Sequence, residues 1–269
     1  MPAVDIARLK IQAAVLVEKF DQPVVFVKEL HQILDIYADR TLRVGIVAMP
    51  VSVLPAYRVP QSVLRQIEME IGPLAATFPE QAMALTNALW KDGYLESRLL
   101  AAILLGRIHP GTAHLLERIS NWVKHARDNQ LQLALLSTSL VRIRRETPSK
   151  FLELMQEWFD PGTPKMWANA IHAIIPLLED PSYENLPPVF NLLGPVIRNM
   201  PSVLQTELAE LINALYAASA VETIYFLRQT VSASTSPHTP VALRRILKQL
   251  PISLQPVVLE LVRQKTARV

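Results

Sequence analysis

Proline stands at near-regular intervals along the middle of this chain. Pro79, Pro110, Pro148 and Pro181 are 31, 38 and 33 residues apart, and each precedes a segment with helical spacing of apolar residues. Proline is tolerated in the first turn of a helix but not in its interior, so it marks where helices begin. Repeats of roughly 33 to 47 residues are typical of stacked helix pairs. The spacing therefore predicts an all-α protein built as a helix-pair solenoid.

The composition favours helices over sheets. Only 7 glycines stand against 21 prolines, whereas tight hairpins usually need glycine at their turns. Half of the residues are apolar, which is enough for an extended core. We therefore expect a right-handed α-α superhelix of HEAT-like helix pairs, with at least twelve helices and no β-strand of consequence.

Apolar periodicity places the individual helices within a single domain, 1–269. Helices at 3–19 and 23–38 form an N-terminal cap over 1–40. The apolar, proline-containing segment 44–60 is an irregular connection to a helix at 60–71. The repeats occupy 60–250 and a closing helix covers 253–266. The predicted pairs are 79–91 with 94–108, 110–127 with 129–145, 148–160 with 163–179, 182–200 with 202–217, and 219–231 with 239–249.

Several classes of function are excluded by what the sequence lacks. Cysteine is absent, which removes disulfides, thiolate nucleophiles and cysteine-bound zinc and suits the reducing cytoplasm. No uncharged apolar stretch is long enough to span a membrane. The six histidines form no metal-binding pattern, and no glycine-rich phosphate loop occurs. We expect a soluble cytoplasmic protein without a metal or cofactor.

Positive charge is concentrated on the second helix of each predicted pair. These helices carry nine cations against four acids, whereas the first helices carry seven of each sign. In a solenoid one helix of each pair lines the concave face, so the excess could follow a nucleic-acid backbone. Alternatively, the cations simply favour helix C-termini through the helix dipole. The candidate DNA-binding residues are Arg98, Arg107, Arg142, Arg144, Arg145, Lys165, Arg244, Arg245 and Lys248.

The four tryptophans lie close together in the sequence. Trp90, Trp122, Trp158 and Trp167 fall within 78 residues. Tryptophans in a groove can stack on bases or face a cationic lesion. Tryptophans at helical spacing are more often core residues, and three of these stand near the ends of first helices. Burial in the core is therefore the favoured interpretation.

Four stretches of the sequence resemble the AlkD-like DNA alkylation repair family, whose HEAT-like repeats cup duplex DNA. The second stretch carries the family's leucine–tryptophan pair at Leu89 and Trp90, followed by Glu96 and Arg98. The resemblance covers about 45–230. The stretches are RVPQSVLRQIEMEIG (58–72), ALWKDGYLESRLLAAILLGRI (88–108), ISNWVKHARDNQLQ (119–132) and LMQEWFDPGTPKMWANAIHAIIPLL (154–178).

The resemblance does not extend to the family's catalytic groups. The resemblance implies a glycosylase site with two tryptophans, an aspartate and an arginine on the concave face. Trp122 matches the first motif tryptophan. That tryptophan is not one of the four functional groups, whose positions fall at Val123 and Arg127 and near Ala170 and Glu210. An arginine in place of the carboxylate would repel a cationic base and destabilise an oxocarbenium. Asp128 and Glu210 are the candidate displaced acids.

Three functions are compatible with these observations. The first is a DNA-binding relative that grips double-stranded or structured DNA without excising bases. The second is a scaffold that holds a protein or peptide in the concave groove. The third is an excising enzyme with a relocated acid. No membrane association is expected.

Overall fold

A computed structural model describes residues 5–39, 52–160, 162–236 and 238–266, and all regular structure in these ranges is helical. The absence of β-strands from the described residues and the presence of fifteen α-helices agree with the predicted fold class. The helices are α1 (Ile6–Glu18), α2 (Pro23–Tyr37), α3 (Gln61–Thr77), α4 (Pro79–Asp92), α5 (Leu95–Leu105), α6 (Leu115–His125), α7 (Asn129–Ser137), α8 (Val141–Glu146), α9 (Pro148–Phe159), α10 (Pro164–Leu178), α11 (Pro187–Arg198), α12 (Gln205–Ala218), α13 (Ala220–Ala233), α14 (His238–Ile246) and α15 (Gln255–Thr266).

The chain forms two compact units, with residues 1–148 in unit 1 and 149–269 in unit 2. In unit 1, α1, α3, α5 and α7 pack side by side as one layer. The other layer contains α2 and α4, and α6 joins it through a parallel stack of Trp90 on Trp122. Contacts of α4 with α5 and of α6 with α7 bring the two layers together.

Unit 2 has the same two-layer construction. One layer contains α10, α12 and α14, and the other contains α11, α13 and α15. Helix α9 meets α10 where the indole of Trp167 lies edge-on to Phe159. Apolar spacing explains why these segments bury one face: in α13, Phe226, Leu227 and Val231 are buried at steps of one and four.

The predicted helix 129–145 is wrong as a single element, because the structure breaks it into α7 and α8. The break lies beside Gly106, where a Cβ atom would overlap the carbonyl oxygen of Thr138. At this point α7 ends, and residues 138–140 form a turn before α8 begins. Ser139 then donates its hydroxyl back to the Leu135 carbonyl.

Three other helix boundaries differ from the prediction by five or six residues. Helix α3 continues through Pro73 to Thr77, because Ile71 and Ala75 remain buried on the core side. Helix α6 begins only at Leu115, since His114 adopts a left-handed backbone with φ 60°. Helix α11 begins at Pro187, after the Asp180 side chain has closed a turn onto the Ser182 amide.

The segment between α2 and α3 is irregular where it is described, as predicted. Residues 44–51 of the predicted connection and residues 3–4 of the first predicted helix lie outside the described ranges. The amide of Leu95 donates to the Pro55 carbonyl, and the amide of Asp39 donates to the Tyr57 carbonyl. These bonds hold residues 52–60 against the rest of unit 1. None of the described helices combines the length and the apolar character that crossing a bilayer would require.

Candidate nucleic-acid interface

The predicted cations Arg98 on α5 and Arg107, two residues beyond α5, bind groups within their own unit. Arg98 donates from Nε to the Trp90 carbonyl at 3.0 Å, and its guanidinium lies 5.0 Å from the centroid of that indole ring. Arg107 donates to Glu68 of α3 at 2.7 Å, although its side chain is half-exposed. Arg98 therefore caps α4 from the next helix. The charge of Arg107 is partly neutralised by a carboxylate.

The cations of α8 are bound in the same way. Arg142 donates from Nε to Glu146 at 2.6 Å and from Nη1 to the Arg107 carbonyl at 2.7 Å. Arg144 is buried, with 7% of its surface exposed. Its guanidinium donates to the carbonyls of Leu136 and Ser137, which the end of α7 leaves without helical partners. Burial therefore keeps Arg144 from a phosphate at the surface.

Exposed cations remain at α14 and the 3₁₀ turn that follows it, residues 247–249. Arg244, Arg245 and Lys248 are all exposed, and they form no ion pair with a described residue. Residues 223–259 contain no aspartate or glutamate, so no acid in the local chain competes for these charges. We call these three side chains the α14 cations. Arg145 and Lys165, the other two predicted cations, are also exposed.

The positions that align with the family's catalytic groups differ in burial. Val123 and Ala170 are fully buried, whereas Arg127 is exposed. Asp128 is 4% exposed and caps α7, where its Oδ1 accepts from the Leu131 amide at 3.0 Å. A carboxylate held in an N-cap stabilises the helix end, and Asp128 is also buried away from the surface.

Glu210 is the candidate acid that stays accessible. It lies on α12 with about half of its side chain exposed, and Oε2 is 3.4 Å from Nε2 of His172 on α10. The two helices are neighbours in one layer of unit 2. Sequence reasoning named Glu210 but missed His172, because no motif connects the two residues.

Two of the four tryptophans are buried in the core, as favoured from their spacing, and the other two are half-buried with structural partners. Trp122 and Trp158 are buried, and Trp90 stacks on Trp122 at 4.1 Å between ring centroids. Trp167 donates its indole N–H to the Phe159 carbonyl at 2.7 Å and so caps α9. Each ring therefore has a structural role.

A chain of polar side chains in unit 1 was not foreseen from the sequence. Tyr57 and His31 Nδ1 are 2.6 Å apart, and His31 Nε2 is 2.7 Å from Asp92 Oδ1. Ser97 donates to the other Asp92 oxygen at 2.6 Å. The carboxylate favours the histidine tautomer that carries its proton on Nε2, which leaves Nδ1 to accept from the phenol. This network joins α2, α4 and α5 to the irregular segment 52–60.

Burial raises the pKa of the Tyr57 phenol above its ordinary value, and neighbouring Tyr94 and three nearby carboxylates raise it further. The phenol therefore stays a neutral hydrogen-bond donor. Glu96, one of these carboxylates, accepts from the Arg58 amide at 2.7 Å, and its second oxygen is buried without a hydrogen-bond partner in the described part of the chain. Within the described ranges, no group of three or more His, Asp or Glu side chains is placed to hold a metal ion.

The fold and these positions define an all-helical protein made of layered helix pairs. The chain belongs to the DNA alkylation repair enzyme family, which it matches over residues 49–246. The match confirms the resemblance found from residues 45–230. Neither curated proteins nor solved structures include a significant match to this chain.

Proposed function

We propose that this chain is a DNA-binding member of the alkylation repair family that does not excise alkylated bases. The observation that carries the proposal is the group of α14 cations, which are exposed, form no ion pair with a described residue and are remote in sequence from any acid. Phosphate contacts by arginine and lysine supply most of the affinity of sequence-independent DNA binding. A family associated with DNA repair makes DNA the natural ligand for such a group.

The proposal includes a single right-handed HEAT-like superhelix over residues 1–269. The layers α1–α3–α5–α7 and α10–α12–α14 contain the second helices of all predicted pairs, which supports an inner layer of second helices within each unit. Within unit 2, the α14 cations and Lys165 would lie along this inner layer, and Arg145 on α8 of unit 1 stays a predicted phosphate contact. Double-stranded or structured DNA is the proposed partner, and a cytoplasmic location stays a prediction.

The loss of excision is supported by the residues at the family's functional positions. Excision of a cationic base needs a carboxylate near the glycosidic bond and aromatic rings against the base. Here an exposed Arg127 replaces the carboxylate, Asp128 is engaged as a helix cap, and the aromatic positions hold Val123 and Glu210. The tryptophans that remain have structural partners.

Salt-dependent binding to a short duplex tests the DNA-binding part. The wild type should show a log–log slope of about −0.9 for each phosphate contact. The triple variant Arg244→Ala, Arg245→Ala and Lys248→Ala should bind at least about tenfold more weakly at low salt, with a slope flattened by about 0.9 per lost contact. The effect should be alike for all sequences, since phosphates carry no base information.

The matched control removes three exposed cations elsewhere in unit 2, through Lys150→Ala, Arg228→Ala and Arg263→Ala. Both triple variants lose three positive charges, so a difference in their DNA affinity would show that binding depends on where the charges lie. Equal weakening of DNA binding by both variants would show that binding depends only on the overall charge of the protein. A wild type without affinity even at low salt would favour the protein or peptide scaffold.

Incubation of excess protein with DNA carrying 3-methyladenine and 7-methylguanine tests the catalytic part. We expect no release of free base above the spontaneous rate. Release that disappears in Glu210→Gln would restore the enzyme, because Glu210 is the accessible candidate acid. The two assays are independent, so DNA binding can hold whether or not excision is found.

A further inference from the structure

Helix α1 exposes an apolar face. Ile11 is 72% and Val15 is 41% exposed, and Ala7 and Ala14 beside them are exposed as well. The opposite side of the helix holds the buried residues Leu9, Ala13 and Leu16, which face α2 and α3. An outer helix of a layered array normally keeps a polar outer face, so an apolar outer face on α1 indicates contact with another surface.

Charged residues stand near the two ends of this face. Arg8 lies in the first turn and Glu18 closes the helix, and both are exposed. Neither forms an ion pair with a described residue, although Arg8 lies near enough to Tyr37 to lower the pKa of its phenol, against the larger rise caused by burial. The face therefore has a positive end, an apolar middle and a negative end.

Two pairs of residues on this face are placed symmetrically about Ala13 in the sequence. Arg8 and Glu18 are each five positions from Ala13, and Ile11 and Val15 are each two positions from it. When two such helices run antiparallel, Arg8 of one lies opposite Glu18 of the other, and Ile11 lies opposite Val15. A twofold axis repeats each pairing, which is the self-complementarity that an isologous interface requires.

We propose that the face formed by Ala7, Arg8, Ile11, Ala14, Val15 and Glu18 is a twofold contact between two copies of this chain. The apolar middle excludes water, and the two Arg8–Glu18 pairs set the antiparallel direction. A single helix pair buries less than the roughly 1,200 Å² of a stable interface, so the dimer is weak and forms at high protein concentration. The contact is separate from the α14 cations and does not depend on DNA binding.

Charge-reversal variants test the pairing directly by sedimentation equilibrium. Arg8→Glu alone sets two acids opposite each other across the contact, and Glu18→Arg alone sets two cations opposite each other. Each variant should therefore dimerise at least about tenfold more weakly than the wild type. The double variant, and an equimolar mixture of the two single variants, should both recover the mass of a dimer of 30.2 kDa chains. The helix tolerates both changes, because an acid near its N-terminus and a cation near its C-terminus favour the dipole.

Two further variants test whether the association is specific to this face. Ile11→Glu should abolish association without unfolding, since this side chain is exposed. Arg228→Glu on α13 reverses one exposed charge elsewhere and should leave the dimer unchanged. A monomeric wild type at millimolar concentration, or a mixture of the single variants that stays monomeric, would overturn the proposal. Association that none of the α1 variants weakens would place the contact on another surface and would overturn it as well.

Discussion

Four predicted cations of unit 1 and the three α14 cations of unit 2 are used in different ways. In unit 1, Arg98 and Arg144 donate to carbonyl groups at helix ends, while Arg107 and Arg142 pair with carboxylates. In unit 2, the α14 cations are exposed to solvent without an ion pair among the described residues. Both sets cluster in the sequence and stand on second helices. Clustering of positive charge therefore does not reveal whether the charge can reach a ligand; that depends on the free carbonyls and acids nearby.

The largest expected difference between the two units is in how much the loss of one arginine lowers the free energy of unfolding. Arg144→Ala should lower the free energy of unfolding by about 3 kcal/mol, because two carbonyls at the end of α7 lose their donor inside the protein. Arg244→Ala should change it by less than about 0.5 kcal/mol, since the side chain is exposed. Urea denaturation measures both. Similar small losses in the two variants would remove the distinction between the units.

A smaller difference in stability is expected when lysine replaces arginine, which keeps the charge and changes the shape of the side chain. Arg98→Lys should cost about 1 kcal/mol, because lysine cannot donate from Nε to the Trp90 carbonyl while stacking on the ring. Arg245→Lys should leave both stability and DNA affinity close to those of the wild type. Denaturation followed by tryptophan fluorescence reports the first change. An unaffected Arg98→Lys variant would show that its charge alone matters.

The polar network of unit 1 predicts a loss of stability in alkali. Burial raises the pKa of Tyr57 above the ordinary value of 10.0, so the folded state holds the phenol proton more tightly than the unfolded state. This contribution is complete below about pH 10 and is lost as the pH rises through the folded-state pKa. Tyr57→Phe should flatten that part of the alkaline decline, although it also removes the donor to His31 at neutral pH.

The control for this experiment is Tyr225→Phe on α13 of unit 2, where the tyrosine is exposed and accepts from Gln229. Its stability should decline in alkali as the wild type does. Parallel curves for wild type and Tyr57→Phe from about pH 9 to about pH 11, a range that brackets the ordinary tyrosine pKa, would show that Tyr57 does not contribute to the decline.

The smallest expected effect concerns DNA. Arg107→Ala should change the affinity for a duplex by less than about twofold, because Glu68 already neutralises the guanidinium at 2.7 Å. A fluorescence anisotropy titration at low salt is sensitive enough to measure this. A loss as large as that of a single α14 cation would bring Arg107 into the interface and weaken the contrast between the units.

Local patterns determined most of the helices. Proline at Pro79, Pro148 and Pro164 opens α4, α9 and α10, because the ring fits the first turn of a helix. Apolar residues at steps of three and four bury one face of each helix, and this spacing can be read over a dozen residues. The family was also visible in the sequence, since the resemblance depends on residue identity and order.

Tertiary structure decided where polar groups find their partners. His31 meets Asp92 from 61 positions away, and Arg107 meets Glu68 from 39 positions away. The break between α7 and α8 lies where Gly106 packs closely against Thr138, and it leaves unpaired the carbonyls that Arg144 binds. A hydrogen bond forms only between atoms that packing has already brought together, so its partners cannot be read from neighbours in the chain. The same packing leaves Arg244, Arg245 and Lys248 exposed while it engages Arg98 and Arg144.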